Sequence, residues 1–177
     1  MNTTITEGAM ENRASKRFTV FIMIMTVFAV AFAFINSLMP AEVSQGESTG
    51  VLAFIIRTLE PLGIQAELTD HLIRKAAHFT EFTVIGSLYS LCGYCFFRSK
   101  PFHYLPQVLF AGLLTALTDE TIQLYAEGRS GMITDVWLDF AGIATGAVAA
   151  ALLLSLYIKR KYRKKGKNNE YGSKKRK

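Results

Sequence analysis

The ionisable residues of the segment RKAAHFTEF, residues 74–82, have the types and the spacing to do chemistry. Arg74, His78 and Glu81 follow one another at intervals of four and three residues, which places them on one face of a helix. Lys75 lies three residues before His78, beside the same face. Clustered carboxyl and imidazole groups can transfer protons, and cations beside them can bind a phosphate or a carboxylate. The segment therefore predicts a polar site at one end of a helix.

A second polar segment, TDETIQLYAEGRSG, covers residues 118–131. Glu120 and Gln123 lie three residues apart, and so about one helical turn apart. The glycines of GRSG then predict a tight turn that carries Arg129.

A third polar segment, DVWLDFAGIATG, covers residues 135–146. Asp135, Asp139, Gly142 and Gly146 follow the spacing of one helix face. The two glycines have the GxxxG spacing that lets a neighbouring helix approach closely. Three helices are thus expected to point polar faces at one another.

We predict four candidate acids and bases in this cluster: His78, Glu81, Glu120 and Asp135. The side chains predicted to bind or orient a ligand are Arg74, Lys75, Gln123, Arg129 and Asp139. With Asp119, the cluster has more carboxyls than permanent cations, which is unfavourable in a low-dielectric site unless carboxyls are protonated or a cation binds. This excess of carboxyl groups is compatible with catalysis, with the binding of a cationic group, or with a purely structural network of polar contacts.

A divalent metal is the less favoured interpretation of His78. The HxxE spacing of His78 and Glu81 could contribute ligands together with carboxylates from other helices. However, the order is not HExxH, and no second histidine accompanies it. We therefore expect neither a metal site nor a cofactor.

The elements that must position these residues are long apolar runs. Residues 18–41 form a charge-free run, longer than the ~20 residues that cross a bilayer. Residues 76–97, 103–123 and 137–158 are three further candidates of similar length. The first run is apolar all round, unlike a helix of a soluble bundle, and it is longer than the apolar part of a secretory signal. The sequence predicts an all-α membrane protein with four transmembrane helices.

A short helix is expected in the first outer loop, within residues 48–68. Ser48 or Thr49 could cap it, and Pro61 with Gly63 would end it. At about 11 residues it is too short to span a bilayer. It should lie in the membrane interface or enter the membrane partway.

The distribution of charge predicts the orientation, because cytoplasmic flanks are rich in Lys and Arg. With both termini in the cytoplasm, all but four of the 20 Lys and Arg residues fall on the inner side. We thus expect a cytoplasmic tail at residues 1–17, a four-span domain at 18–158, and a basic, disordered cytoplasmic tail at 159–177. That tail has no recognition fold for nucleic acid and suits contact with anionic lipid headgroups.

The three polar segments, in this order and at these separations, resemble those of the VanZ-like family of small bacterial membrane proteins. The resemblance covers about residues 50–155. It implies motif positions at Lys75, His78, Glu81, Glu120, Gln123, Arg129, Asp135 and Asp139. Many relatives carry Asn where this chain has Asp139. The family's namesake is linked to resistance to the glycopeptide-type antibiotic teicoplanin.

Three functions follow from these observations. The first is a protein of the bacterial cytoplasmic membrane whose outer polar site binds a lipid headgroup, a lipid-linked wall precursor or a glycopeptide-type antibiotic. The second is an intramembrane enzyme that modifies a lipid-linked substrate by acid/base chemistry. The third, proton or ion transport, is disfavoured because the inner half has no polar path. Membrane lipids are the expected partners, and nucleic acid is not.

Overall fold

The computed structural model describes residues 14–43, 46, 49–50, 53, 69–97 and 100–174, with side chains as far as Lys164. Four α-helices are described in full: α1 (Lys16–Leu38), α2 (Asp70–Phe96), α3 (Leu105–Gln123) and α4 (Ile133–Lys174). Residues 41–43, 46, 49–50 and 53 are also helical. A short 3-10 helix, Pro101–His103, precedes α3. No strand occurs among the described residues. The fold is therefore all-helical, as predicted. Most of the loop helix expected within residues 48–68 lies outside the described residues.

Side-chain caps explain where α1 and α2 begin. Ser15 precedes α1, and its side chain accepts a hydrogen bond from the backbone N–H of Phe18 at 3.2 Å. Thr69 precedes α2 and accepts one from Leu72 N–H at 3.3 Å. Each oxygen satisfies an N–H that has no partner inside its helix. Thr69 is therefore the N-cap of α2.

Two of the described helices are long and apolar enough to cross a membrane: α1, and α4 over Ile133–Lys164. Large apolar side chains point outward along both, including Phe21 and Phe28 on α1 and Leu153 on α4. Such continuous apolar exposure is unusual for a soluble protein and normal in lipid. Spans formed by α2 and α3, as in the four-span arrangement, stay a prediction.

The last helix is longer than the sequence predicts. The span was expected to end at Ile158 and a disordered tail to follow, but α4 continues to Lys174. Lys and Arg are good helix formers, and extending a helix that already exists avoids the cost of nucleation. The change to a basic composition therefore does not end the helix.

The closest packing in the fold joins α2 to α4, which pair more extensively than any other two described elements. A Cβ added to Gly142 would lie 2.6 Å from the backbone oxygen of Phe79, and one added to Gly146 would overlap the backbone oxygen of Thr83. Ser87 donates a hydrogen bond to the Gly146 carbonyl at 3.2 Å. The two glycines thus allow the helix backbones to touch.

The main core lies beside this contact. Phe82 and Ile85 of α2, Ile143 of α4, Ala116 of α3 and Ala33 of α1 form one buried cluster. Each of α1, α2, α3 and α4 contributes to it. The polar ends of α2, α3 and α4 are thereby fixed relative to one another.

Candidate functional site

A cavity of about 210 Å³ opens where the N-terminal ends of α2 and α4 meet the C-terminal end of α3. Of the predicted site residues, all but Glu81 line it. The lining side chains from the predicted set are Arg74, Lys75, His78, Glu120, Gln123, Arg129, Asp135 and Asp139. The three polar segments therefore meet at one place.

Asp119 lies directly behind this cavity and is fully buried. The Ser37 hydroxyl lies 2.7 Å from both of its carboxylate oxygens, and Gln123 Nε2 donates to Oδ2 at 3.0 Å. Gln123 therefore orients a carboxylate of its own helix while it lines the cavity. Buried carboxylates are tolerated only with such partners.

His78 lies between two buried carboxylates. Its ligand-capable nitrogen and one oxygen each from Asp119 and Asp139 all lie within 4.8 Å of one another. His78 Nδ1 is 3.9 Å from Asp139 Oδ1, which is too far for a direct hydrogen bond. The His78 ring stacks on Phe82, with 6.4 Å between ring centroids.

Two contacts hold the rim of the cavity. Lys75 Nζ lies 3.0 Å from Asp135 Oδ1, so the ion pair joins α2 to α4. Glu120 Oε2 accepts a hydrogen bond from Met132 N–H at 3.1 Å, so α3 holds the segment that leads into α4. Asp135 and Glu120, two of the three carboxylates predicted as acids or bases, thus already have a structural partner.

Arg129 reaches the cavity from the loop between α3 and α4. Gly128 has a φ of 74°, a conformation that glycine adopts without steric cost, and the turn it permits leads directly into Arg129. The neighbouring backbone is held by a hydrogen bond from Ala41 N–H to the Glu127 carbonyl at 3.0 Å. The predicted tight turn is present, and the segment after α1 supports it.

Two arginines, Arg74 and Arg129, line the cavity. Among the described residues, neither Arg74 Nε nor Arg129 Nε has a hydrogen-bond partner, although both atoms are buried. Burial, and then the positive charge of Arg74, lower the pKa of the Arg129 guanidinium. An anion placed between the two guanidinium groups would satisfy both.

Glu81, a predicted acid or base, lies away from the cavity. Its Oε1 is 3.4 Å from Asn36 Nδ2 of α1, one helical turn below His78 in the sequence of α2. The cavity does not include it.

Sequence reasoning missed the contribution of α1. Asn36 and Ser37 contact Glu81 and Asp119, respectively. The signal was available, since these are adjacent polar residues near the end of a run that is otherwise almost entirely apolar. Asp119 was counted among the charges but was not proposed as a site residue.

Comparison with known proteins gives one clear match. The family model described as VanZ/LLP1 matches residues 20–154. The match includes the first predicted span, which the motif resemblance did not cover. No curated protein and no solved structure matches the chain. The matched segment carries all four helices of the site, so this chain is a membrane protein that belongs to the VanZ-like family.

Proposed function

We propose that this protein is a four-span protein of the bacterial cytoplasmic membrane, with both termini in the cytoplasm, whose outer cavity binds the phosphate group of a lipid or of a lipid-linked wall precursor. The observation that carries the proposal is the pair of buried Nε atoms of Arg74 and Arg129, which lack a protein acceptor within the described residues. Buried donors of this kind ordinarily have a partner. A phosphate offers several acceptor oxygens and matches the planar fork of arginine.

The charge of the rim favours the same ligand. Lys75 and Glu120 each have a protein partner, so the guanidinium groups of Arg74 and Arg129 are the cations left to attract an anion among the described lining residues. A cationic headgroup between these two guanidinium groups would instead be repelled by both. An anionic headgroup is therefore favoured over a cationic one.

The size of the cavity favours a headgroup over a whole antibiotic. Pockets that enclose drug-sized ligands have volumes of about 300–1,000 Å³, and this cavity has about 210 Å³. A glycopeptide-type antibiotic is far larger than the cavity. Any effect on such an antibiotic is thus proposed to follow from the lipid or precursor that the protein binds.

The test is native mass spectrometry of the delipidated protein with matched lipid pairs. Polyprenyl phosphate is compared with polyprenol, and phosphatidic acid with diacylglycerol, so that the carrier and the phospholipid are distinguished. We expect binding of at least one phosphate form over its alcohol. Arg129→Lys should weaken that binding about tenfold, because a charge-assisted hydrogen bond contributes about 1.5–3 kcal/mol and lysine loses the fork.

The matched control is Lys100→Ala, which removes an exposed cation just beyond the opposite end of α2. It should bind the phosphate forms as the unsubstituted protein does. Equal affinity for phosphate and alcohol, or equal weakening by both substitutions, would reject the phosphate site.

The second candidate is an enzyme that acts on the bound lipid by acid/base chemistry. His78 favours it, because the imidazole lines the same cavity as the arginines and has two carboxylates beside it. A general base must lie within reach of the substrate's proton. Incubation with the lipid that binds, followed by mass analysis of the lipid, tests the enzyme. An unchanged lipid mass in the presence of saturating protein would leave binding as the function.

A further inference from the structure

We propose that His78, Asp119 and Asp139 together bind one divalent transition-metal cation. The three side chains come from α2, α3 and α4 and bring their ligand atoms within 4.8 Å of one another. This site differs from the arginine pair, because it takes a cation and lies deeper. The proposal does not depend on the phosphate-binding function.

An unpartnered oxygen points to the ion. Asp139 is 1% exposed, yet its Oδ2 has no hydrogen-bond partner among the described residues. Its Oδ1 lies 3.9 Å from His78 Nδ1, beyond hydrogen-bond distance. Two ligands that each lie about 2.0–2.2 Å from one ion are at most about 4.4 Å apart. The separation therefore fits two ligands of a shared ion better than a direct contact.

The balance of charge favours a cation at this depth. Asp119 is 0% exposed, and one of its carboxylate oxygens lies within 4.8 Å of ligand atoms of His78 and Asp139. The Ser37 hydroxyl and the Gln123 amide that contact Asp119 are neutral, and the described ion pair of Lys75 is with Asp135. Two buried carboxylates without a cation between them are strongly unfavourable. A divalent ion would offset both.

The surroundings also resemble the support of a metal site. Ligands of bound metals are usually held by further hydrogen bonds that fix their orientation. Asp119 is held by Ser37 and Gln123, and the His78 ring is stacked on the buried Phe82. These contacts would hold two of the three ligands in place before an ion arrives.

The ligand types select the class of ion. One imidazole and two carboxylates suit Zn²⁺ or Mn²⁺, whereas Ca²⁺ takes six to eight oxygen ligands and Mg²⁺ favours oxygen and water. Sequence reasoning disfavoured a metal because HxxE lacked a second histidine. In the ligand set proposed here, Asp119 from α3 takes the place of a second histidine, and Asp139 from α4 takes the place of Glu81.

The test measures metal content without any lipid. Protein purified without a histidine tag is stripped with a chelator, dialysed against Zn²⁺ or Mn²⁺, and analysed by inductively coupled plasma mass spectrometry. We expect one ion per chain. Asp139→Asn, Asp119→Asn and His78→Gln should each weaken binding at least tenfold, since changes even to residues behind the ligands cost 10–100-fold.

Two matched control variants test whether the ion binds to these three ligands or to the ionisable side chains of the cavity in general. Asp135→Asn removes a carboxylate one turn away on the same helix, and His71→Gln removes a histidine from the cavity rim. Both should keep one ion per chain and weaken binding by clearly less than the tenfold loss expected at the three ligands. If these controls lose the ion as readily as Asp139→Asn does, the assignment of ligands is wrong.

Absorption spectroscopy on the unsubstituted protein tests the site even if a ligand variant fails to fold. The stripped protein is titrated with Co²⁺, whose visible absorption reports the coordination by nitrogen and oxygen. A saturable band at one equivalent, displaced by Zn²⁺, is the expected result. No saturable binding of Zn²⁺, Mn²⁺ or Co²⁺ to the unsubstituted protein would reject the site.

Discussion

Asp119 is the most constrained carboxylate of the site. It is fully buried, and Ser37 of α1 and Gln123 of α3 both donate to it. Loss of a donor leaves a buried charge less well satisfied, which costs more than the hydrogen bond itself contributes. Stability and function of the site should therefore depend on a hydroxyl group that lies on the first helix.

Ser37→Ala should lower the free energy of unfolding by about 1–3 kcal/mol, because it removes the hydroxyl from Asp119. The measurement is reversible denaturation in mixed detergent micelles. Thr118→Ala is the control, since Thr118 is exposed and its hydroxyl donates only to the Leu114 carbonyl of its own helix. It should change stability by less than about 0.5 kcal/mol. Similar losses of unfolding free energy in both variants would show that the contact with Asp119 contributes no more than an exposed hydroxyl group does.

Glu120→Gln, His78→Ala and Arg129→Lys should abolish the cellular phenotype of the protein while it still inserts and folds. Each changes a side chain that lines the cavity. Arg129→Lys is the most specific, because lysine keeps the charge but loses the planar fork. Abundance and melting temperature are measured beside the phenotype. If lost activity only follows lost folded protein in all three variants, the cluster is a structural network.

At this scale, spacing predicted much of the cavity. Arg74, Lys75 and His78 share a helix face, and the structure puts all three in the cavity wall. Spacing within one helix could not reveal that Ser37 meets Asp119, because their partnership depends on how α1 packs against α3. For the same reason Glu81, which shares that face, contacts Asn36 and not the cavity.

At the scale of helices, the contact between α2 and α4 positions the site. Gly142 and Gly146 bring α4 against the backbone of α2, and the same two helices carry His78 and Asp139. The GxxxG spacing predicted this contact correctly. The helix that α4 contacts could not be predicted, because small residues show that a helix can approach another closely but not which helix it approaches.

Gly142→Leu and Gly146→Leu should lower the yield of folded protein, and Gly146→Leu should do so more. A Cβ at Gly146 overlaps the backbone oxygen of Thr83, whereas one at Gly142 stops at 2.6 Å from a backbone atom. Yield is measured by fluorescence-detected size-exclusion chromatography. Gly50→Leu, where a Cβ meets nothing within 4 Å, and Leu153→Ala, at a position 67% exposed, should be tolerated. Normal yield of the Gly146 variant would contradict the close contact.

The apolar runs predicted three helix ends to within about three residues. The first run ended at residue 41 and α1 ends at Leu38, while α2 and α3 end at Phe96 and Gln123. The helices α2 and α4 begin before their apolar runs do, because each has a polar first turn. Hydropathy finds the part of a helix that suits lipid, and capping and propensity decide where the helix begins and ends.

At the scale of the whole molecule, the excess of Lys and Arg at the two chain ends predicts that both lie in the cytoplasm. Single cysteines at Gly46 and Glu127, in a Cys92→Ser, Cys95→Ser background, should react with an impermeant maleimide on intact cells. A cysteine at Ser173 should react only after the cells are opened. Glu127 is preferred to its neighbour Gly128, whose φ of 74° disfavours any side chain. Labelling of Ser173 alone on intact cells would reverse the orientation.

The backbone contact between α2 and α4 also limits how the cavity can change shape. Helices that touch through glycines cannot slide or separate without losing dense packing, so these two behave as one rigid body. That body carries Arg74, Lys75, His78, Asp135 and Asp139. Arg129 lies outside it, on a loop whose turn depends on Gly128. Any change in the shape of the cavity is therefore expected to come from this loop, with the wall that holds His78 and Asp139 remaining still.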